Sequence, residues 1–359
     1  VHPVEVRHFV RARDRLLAAD AAELALGDIC AEIVRAFHDI ALFDRSAVMT
    51  TDPESLLPSG GVVEGFPPDA CQPTWDNELL DPDFNKYSEL VRRHDPVATL
   101  VEATDGDLSR SPRYRRIYEA AGAADELRTV FVAGHSCLAI GEFVRPVDAG
   151  PFTASELASV RQLVPVATTV LRRALGRVNE AVDREPPVMI ILDANNQITA
   201  TTLGAARVLD ALRSDVDTAV PTVVRTAATK ARWGRTAASV STRVQDANGN
   251  WLRLHVTPIE GEAGSVALVV ERARPNDLAR LLLESYGLTH RETEIVVLLA
   301  RGLSAKEIAA EMALSPHTVR DHVKAIYDKA GVNSRGELVA NLFSNHVINW
   351  MHEATLSLG

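Results

Sequence analysis

The 359-residue chain is 46% hydrophobic and 24% charged, a globular composition with length for two or three cores of common size, which excludes a disordered or fibrous protein. No apolar run reaches the roughly 18–20 residues of a membrane helix and no signal-like leader opens the chain, so a cytoplasmic protein without a membrane partner is expected. The formal net charge of −10 is unevenly placed, with 19 basic against 28 acidic side chains in residues 1–180, 11 against 10 in 181–275 and 8 against 10 in 276–359, so the acidity of the first half does not exclude a nucleic-acid partner for the last quarter.

In the first 180 residues, Leu24, Ile29, Ile33, Val34 and Phe37 recur at helical spacing and lead into Leu42–Met49, a helix end passing into a strand. Ser59-Gly60-Gly61 predicts a turn. Asp76, Glu78, Asp81 and Asp83 lack the spacing, the glycine and the final glutamate of an EF-hand, so a solvated acidic loop is expected there. Arg128–Ala133 and Cys137–Val144 flank Gly134-His135-Ser136 as a hairpin, and Thr153 with Glu156 boxes the start of a long helix. This order, closing on a strand pair, an F-T-x-x-E cap and a long helix, is similar to a GAF-type α+β sensor domain. The resemblance implies a ligand-holding domain over residues 1–180, with Trp75, Phe84, Tyr87, Tyr114 and Tyr118 as candidates to line an effector pocket; core packing explains each of them equally well. Leu157, Val160, Val164, Ala167, Leu171, Ala174 and Val178 then follow at steps of 3 and 4, a heptad seam that predicts a homodimer, with Pro165 expected to kink the helix.

Residues 181–275 change character. Val188–Leu192 is an apolar run of strand length, followed by the turn-forming Asp193-Ala194-Asn195-Asn196-Gln197 and helical spacing over Leu203–Leu212. Alternation returns at Val240, Thr242 and Val244, at Leu252, Leu254 and Val256, and at Val266, Leu268 and Val270. Strand, turn, strand, helix and a three-strand meander is similar to a reduced PAS-type α+β module. Residues 276–285 read as a linker.

The last quarter carries the sharpest signals. Thr289 with Glu292, Ser304 with Glu307, and Ser334 with Glu337 each stand at capping-box spacing, and Ser315-Pro316 is an N-cap with a proline at the first helical position. Gly302 and Gly331 stop two of the helices so started. Two helices joined by the short Ala313-Leu314 turn predict a helix-turn-helix. In projection, Val319, Val323, Ile326 and Ala330 share one face of the second helix, and His317, Arg320, Asp321, Lys324 and Asp328 share the opposite one. That charged face suits a major groove: Arg320 and Lys324 to guanine, Asp321 to cytosine N4, with Lys306, Ser315 and Thr318 placed for phosphate and His317 exposed beside them.

Residues 288–342 also closely resemble the LuxR/NarL-type DNA-binding domain, through the opening LT-x-R-E, the central G-L-S-x-K-E-I-A, then S-x-x-T-V-x-x-H and K-x-G-V-x-S-R-x-E-L. The resemblance implies an all-α four-helix domain over 286–346, before a tail at 347–359. Its third helix would read DNA through Arg320, Asp321 and Lys324, phosphate contact would fall on Lys306 and Thr318, and its fourth helix would pair two copies. Asp321 departs from the pattern, standing where many relatives carry a small or apolar residue.

No assembled catalytic motif is present: no GxGxxG after a strand, no GxxxxGK[ST], no HExxH, no GxSxG. No metal site or cofactor is expected either, since Cys30, Cys71 and Cys137 form no CxxC pair. Asp193 is the only lookalike for a phosphate-accepting aspartate, and no acidic pair closes an earlier strand, so gating by a small, largely apolar effector or a partner protein is expected, not phosphorylation. The sequence thus describes a multidomain DNA-binding transcriptional regulator that works with RNA polymerase on double-stranded DNA. The rival readings are a signalling hydrolase with a DNA-binding tail and a sigma-like polymerase subunit.

Overall fold

The computed structural model describes residues 3–67, 70–134, 136–175, 186–213, 220–233, 239–273, 277, 283 and 286–343. Helix α1 (Pro3–Ala21) lies against α2 (Leu26–His38), where Arg15 reaches Asp39 at 3.0 Å and Glu32 at 3.3 Å. Ile29, Ile33, Val34 and Phe37 of α2 are all buried, because their spacing sets them on one face. That face covers a sheet of β1 (Arg45–Thr51), β2 (Pro58–Glu64), β3 (Val97–Thr99), β4 (Ala123–Ala133) and β5 (Ser136–Pro146), in the order β2-β1-β5-β4-β3. Phe37 stacks on Phe143 with ring centroids 4.6 Å apart and meets Phe131 edge-on at 6.3 Å. The opposite face of the sheet is closed by α3 (Cys71–Leu80) and α4 (Tyr87–Leu90), whose Trp75, Tyr87 and Leu90 pack with Val130 and Ile140, and the short α5 (Leu100–Ala103) follows β3.

Two expectations for this region are corrected. Ser59, Gly60 and Gly61 lie inside β2, not in a turn: Thr50 pairs with Gly60 and Thr51 with Pro58, which leaves Ser59 as the extra residue of a bulge. A Cβ on Gly61, at φ +126°, would stand 2.3 Å from the Val48 carbonyl oxygen, so glycine there permits a close strand approach. The seam of the long helix α6 (Ala154–Leu175) is also not open to a second copy. Leu157, Val160, Val164, Ala167, Leu171 and Ala174 are each at most 7% exposed within the single chain, and Val178 lies outside the described residues. A 3–4 apolar repeat serves a helix lying on its own domain as well as a coiled coil. The helix opens on the expected Thr153–Glu156 box and continues through Pro165.

The second sheet comprises β6 (Val188–Leu192), β7 (Ile198–Thr201), β8 (Val240–Gln245), β9 (Trp251–Pro258) and β10 (Val266–Arg272). It is antiparallel throughout, in the order β7-β6-β10-β9-β8. Its alternating Leu254, Val256, Val266, Leu268 and Val270 are buried with residues of α7 (Ala205–Ala211) and α8 (Thr222–Trp233). Asp193 closes the β6–β7 turn, accepting the backbone N–H groups of Asn195 and Gln197, both at 2.8 Å. This is a hairpin cap, not the end of a parallel strand.

Both sheets, apart from the β4–β5 turn at Ala133–Ser136, fall in one compact unit, and the other is built mainly from residues after Arg272. The join between the sheets is polar and buried. Asp52 accepts from the backbone N–H of Arg243 at 3.0 Å and from its Nε at 2.6 Å, with side chains 2% and 6% exposed. Burial alone would raise the Asp52 pKa, but the Arg243 guanidinium beside it holds the carboxyl below its usual range. Ser55 bonds Thr242 at 3.0 Å, and Leu57 is wholly buried in the second sheet's core. Among the described residues no helix is long and apolar enough to cross a membrane, and none of the three cysteines is in a disulfide.

Removing one partner of a buried ion pair strands the other charge, so Asp52→Ala should destabilise the unit by roughly 3–5 kcal/mol, and the double replacement Asp52→Ala/Arg243→Met by clearly less. Urea unfolding of the full chain reads both; equal losses would show that Arg243 gains nothing from its partner.

Candidate nucleic-acid interface and buried charge cluster

The C-terminal unit is built on its caps. In α9 (His290–Ala300), Thr289 Oγ1 accepts from Glu292 N–H and Glu292 Oε2 accepts from Thr289 N–H; Ser304 and Glu307 repeat the exchange at α10 (Ala305–Glu311). Ser315 Oγ accepts from Thr318 N–H at 3.1 Å to start α11 (Pro316–Ala330), and Gly331, at φ +68°, ends it. At α12 (Arg335–Phe343) only half of the expected box forms. Glu337 N–H reaches Ser334 Oγ, but Glu337 Oε2 turns to Asn333 N–H. Ala313, between α10 and α11, takes a left-handed φ of +53°.

Helix α11 sorts its side chains as its periodicity requires. Val319, Ile326 and Ala330 are buried among Ile295, Leu299 and Ile308, with Val323 and His322 half-buried, while His317, Arg320, Asp321, Lys324 and Asp328 are exposed. Lys329 Nζ anchors the helix to Glu292 of α9 at 2.6 Å. Burial at Glu292 works against its charge, but Lys329 and the Thr289 N–H more than offset it and lower its pKa.

Of the residues expected at DNA, Lys306, Ser315, His317, Arg320, Asp321 and Lys324 are exposed and Thr318 is half-buried. Asp321 does not stand alone. Its Oδ2 lies 2.9 Å from His317 Nδ1, one turn earlier, with side chains 68% and 82% exposed. Arg320 folds back so that its Nε donates to the Pro316 carbonyl at 3.1 Å, and Ser315 Oγ and Thr318 Oγ1 bond each other at 2.9 Å. Lys324 extends from the same face into solvent.

The five aromatic candidates of the first domain divide. Trp75 and Tyr87 line one hollow of about 40 Å³ between α3, α4 and the sheet, together with Phe66, Met49, Glu78 and Glu142. Phe84, Tyr114 and Tyr118 do not line it. Phe84 has the Arg110 guanidinium over its ring at 5.3 Å, Tyr114 donates to the Ala123 carbonyl, and the Tyr118 hydroxyl stands within hydrogen-bond reach of both Glu126, at 3.1 Å, and Glu142.

Beside the hollow stands a cluster that the sequence did not disclose. Arg113 and Arg128 are both wholly buried. Arg113 Nε donates to Glu126 Oε1 at 2.9 Å and Nη1 to Asn77 Oδ1 at 3.1 Å. Arg128 donates to Glu126 at 2.9 Å, Glu78 at 2.8 Å and Glu142 at 3.3 Å, and lies 4.4 Å over the Tyr87 ring. Asp83 accepts from Arg113 N–H and Ser111 Oγ. The acidic residues expected as a solvated loop are therefore split: Asp76 and Glu78 belong to α3, and Glu78 and Asp83 are interior partners of arginine. A legible sign was present in the alternation Glu126-x-Arg128-x-Val130, which puts two charges on the core-facing side of a strand.

Desolvation acts unevenly on these carboxyls. It would raise Glu126, but two guanidiniums win and hold it low; it does raise Glu142, whose arginine partner is shared. Asp125, next along β4, is pushed up to about 6 by burial despite accepting N–H bonds from Val101, Glu126 and Phe152. A carboxyl whose folded pKa lies above its unfolded one binds its proton more tightly in the folded chain. Stability should therefore rise as pH falls from about 7 towards 4, before the lowered Asp52, Asp83 and Glu126 begin to lose theirs below that range. Asp125→Asn should flatten this rise. Unfolding midpoints across that range test it, and an unchanged slope in the variant would clear Asp125 of the role.

Residues 286–342 match the family described as bacterial regulatory proteins, luxR family. A putative HTH-type transcriptional regulator in the exeN 3′ region of Aeromonas salmonicida is 44% identical over 61 residues, 17% of this chain and 31% of that one. The transcriptional regulatory protein UhpA of Escherichia coli is 45% identical over 56 residues, 16% of this chain and 29% of its own. Less than a third of each relative's length is thus shared. The solved structure of Escherichia coli SdiA aligns over 94% of this chain and 98% of its own at a TM-score of 0.34 and 12% identity, a likeness too slight to assign the region before residue 286. The capped four-helix unit over residues 286–342 is a LuxR-type helix-turn-helix domain.

Proposed function

We propose that the chain is a sequence-specific, DNA-binding transcriptional regulator, acting in the cytoplasm without catalysis of its own. The observation that carries this reading is the exposed face of α11, where Arg320 and Lys324 make no ion pair among the described residues, on a helix capped by Ser315 and tied to α9 by Lys329. A helix so held presents its first turns to a major groove, with Arg320 and Lys324 toward base edges and Lys306, Ser315 and Thr318 toward phosphate. The His317–Asp321 pair gives Asp321 a role other than accepting from cytosine: it orients the exposed His317 in the first turn of α11, where a phosphate would be met.

The region before residue 276 is read as two sensor modules, GAF-like over 1–180 and PAS-like over 181–275, followed by a linker at 276–285, the reading domain at 286–346 and a tail at 347–359. Strand orders β2-β1-β5-β4-β3 and β7-β6-β10-β9-β8, each with its helices on a sheet face, favour those folds. The hollow beside Trp75 and Tyr87 is the effector site in this reading. RNA polymerase is the partner that a bound regulator would address, and two copies would pair on DNA through α12, where Val339 remains half-exposed while Leu338 is spent on the domain's own core.

Replacing Arg320 or Lys324 with Ala should cost roughly 1–3 kcal/mol on the operator and relax base choice at one position each, while Lys306→Ala weakens operator and random DNA alike and lowers the salt slope by about 1. Asp321→Ala should change operator and random DNA binding alike and leave base choice as it was, since it acts through His317. Binding-site selection with each variant decides; a change of base preference confined to Asp321→Ala would return that residue to base reading.

A further inference from the structure

The buried cluster beside the hollow is out of charge balance. Two arginines, Arg113 and Arg128, and the half-buried Lys86 face four carboxylates, Asp83, Glu78, Glu126 and Glu142. Among the described residues Lys86 donates to the carbonyls of Asn77 and Asp81, not to Glu142. Glu126 takes the best of both guanidiniums. Glu142 is left with one N–H of Arg128 at 3.3 Å and two tyrosine hydroxyls, and it is one of the two carboxyls that line the hollow. The other, Glu78, already accepts from Arg128 at 2.8 Å and from Tyr87 N–H at 2.9 Å.

Three of the other walls are aromatic, Phe66, Trp75 and Tyr87, and the rest are mainly small or aliphatic, with Met49, Val63 and Ile140 the largest of them. Aromatic rings around a carboxylate are the surroundings that favour an organic cation, because the ring faces are negative and the apolar walls exclude competing water. Tyr87 already shows this behaviour within the chain, with the Arg128 guanidinium over its ring. An anion would meet Glu142 and Glu78 directly. A neutral apolar guest would leave the excess negative charge in place.

We propose that the hollow binds a small organic cation, an ammonium or N-methylated ammonium group on a short apolar body, with Glu142 as its counter-ion and Phe66, Trp75 and Tyr87 as its walls. The proposal rests on the sensor reading of the first domain and narrows it. The free volume of about 40 Å³ takes the ammonium head, with the carbons of the short apolar body towards the open side of the hollow. Occupation sets a fixed positive charge beside Glu142, and it presses on α3, which supplies both Trp75 and Glu78.

The test compares three guests that share one isobutyl body on the full chain: isobutylammonium, isobutanol and 3-methylbutanoate, titrated calorimetrically at neutral pH and matched ionic strength. Isobutylammonium should bind at least about ten-fold more tightly than isobutanol, and 3-methylbutanoate not measurably. Glu142→Gln should bring the ammonium to the level of the alcohol and leave the alcohol unchanged. Wild-type protein alone decides if that variant fails to fold. Equal or tighter binding of isobutanol overturns the cation while leaving a sensor hollow in place; tighter binding of the carboxylate does the same. No binding by any of the three removes both the cation and the hollow as an effector site.

Discussion

Two arginines with no solvent exposure set the terms for the first sheet domain. A guanidinium cannot shed its proton in a protein, so Arg113 and Arg128 must be matched where they stand or the domain does not fold. Nearly every unusual feature nearby follows from that need. Glu126 and Glu142 occupy core positions of strands, Glu78 and Asp83 are drawn inward from the α3 region, and Tyr87 and Tyr118 lend hydroxyls to carboxylates that arginine alone does not fill. Burial lifts both phenols well above their ordinary pKa, so they act here as fixed donors. Such a cluster is a poor source of net stability compared with an apolar core of the same volume. Its yield is a rigid, directional wall on one side of a hollow, the arrangement that selective binding requires.

The unequal visibility of the two halves in the sequence has a physical origin. Caps are local: Ser304 and Glu307 find each other across three residues whatever the rest of the chain does, and the same holds for Thr289 with Glu292. The helix-turn-helix was therefore legible down to the residue at which α11 begins. The strands of the second sheet were nearly as clear, because their alternation is intrinsic to each strand. What the sequence hid depends on partners far along the chain. Arg113 meets Glu126 and Asn77, Arg128 meets Glu78, and Asp52 meets Arg243 across 191 residues. No spacing rule links such residues. Asp76, Glu78, Asp81 and Asp83 looked like a solvated loop because their cations come from elsewhere.

The misread glycines and the misread seam share a cause. Gly60 and Gly61 satisfy the local signature of a turn, and the α6 repeat satisfies that of a coiled coil, but each signature reports a backbone or surface property without saying what uses it. A bulge next to β1 and the chain's own core used them instead. At α12 the local rule was met and then half abandoned, since Glu337 prefers the Asn333 N–H.

Helix α3 is the element on which sensing would turn. One face, through Trp75 and Glu78, lines the hollow and joins the charge cluster; the other packs on α8 of the second sheet module, where Gln72 Nε2 meets Thr229 Oγ1 at 3.2 Å and Leu79 lies against the second core. Asp76 sits at that second contact, its pKa raised by burial, so this surface too is sparingly solvated. The loop after β1 is meanwhile held to β8 by Asp52 and Arg243. A helix confined between two packed surfaces cannot yield to a guest on one side without pressing on the other, because close-packed interiors transmit displacement instead of absorbing it. The two sheets are therefore coupled mechanically, and a displacement of α3 at the hollow would be carried to the second sheet through α8.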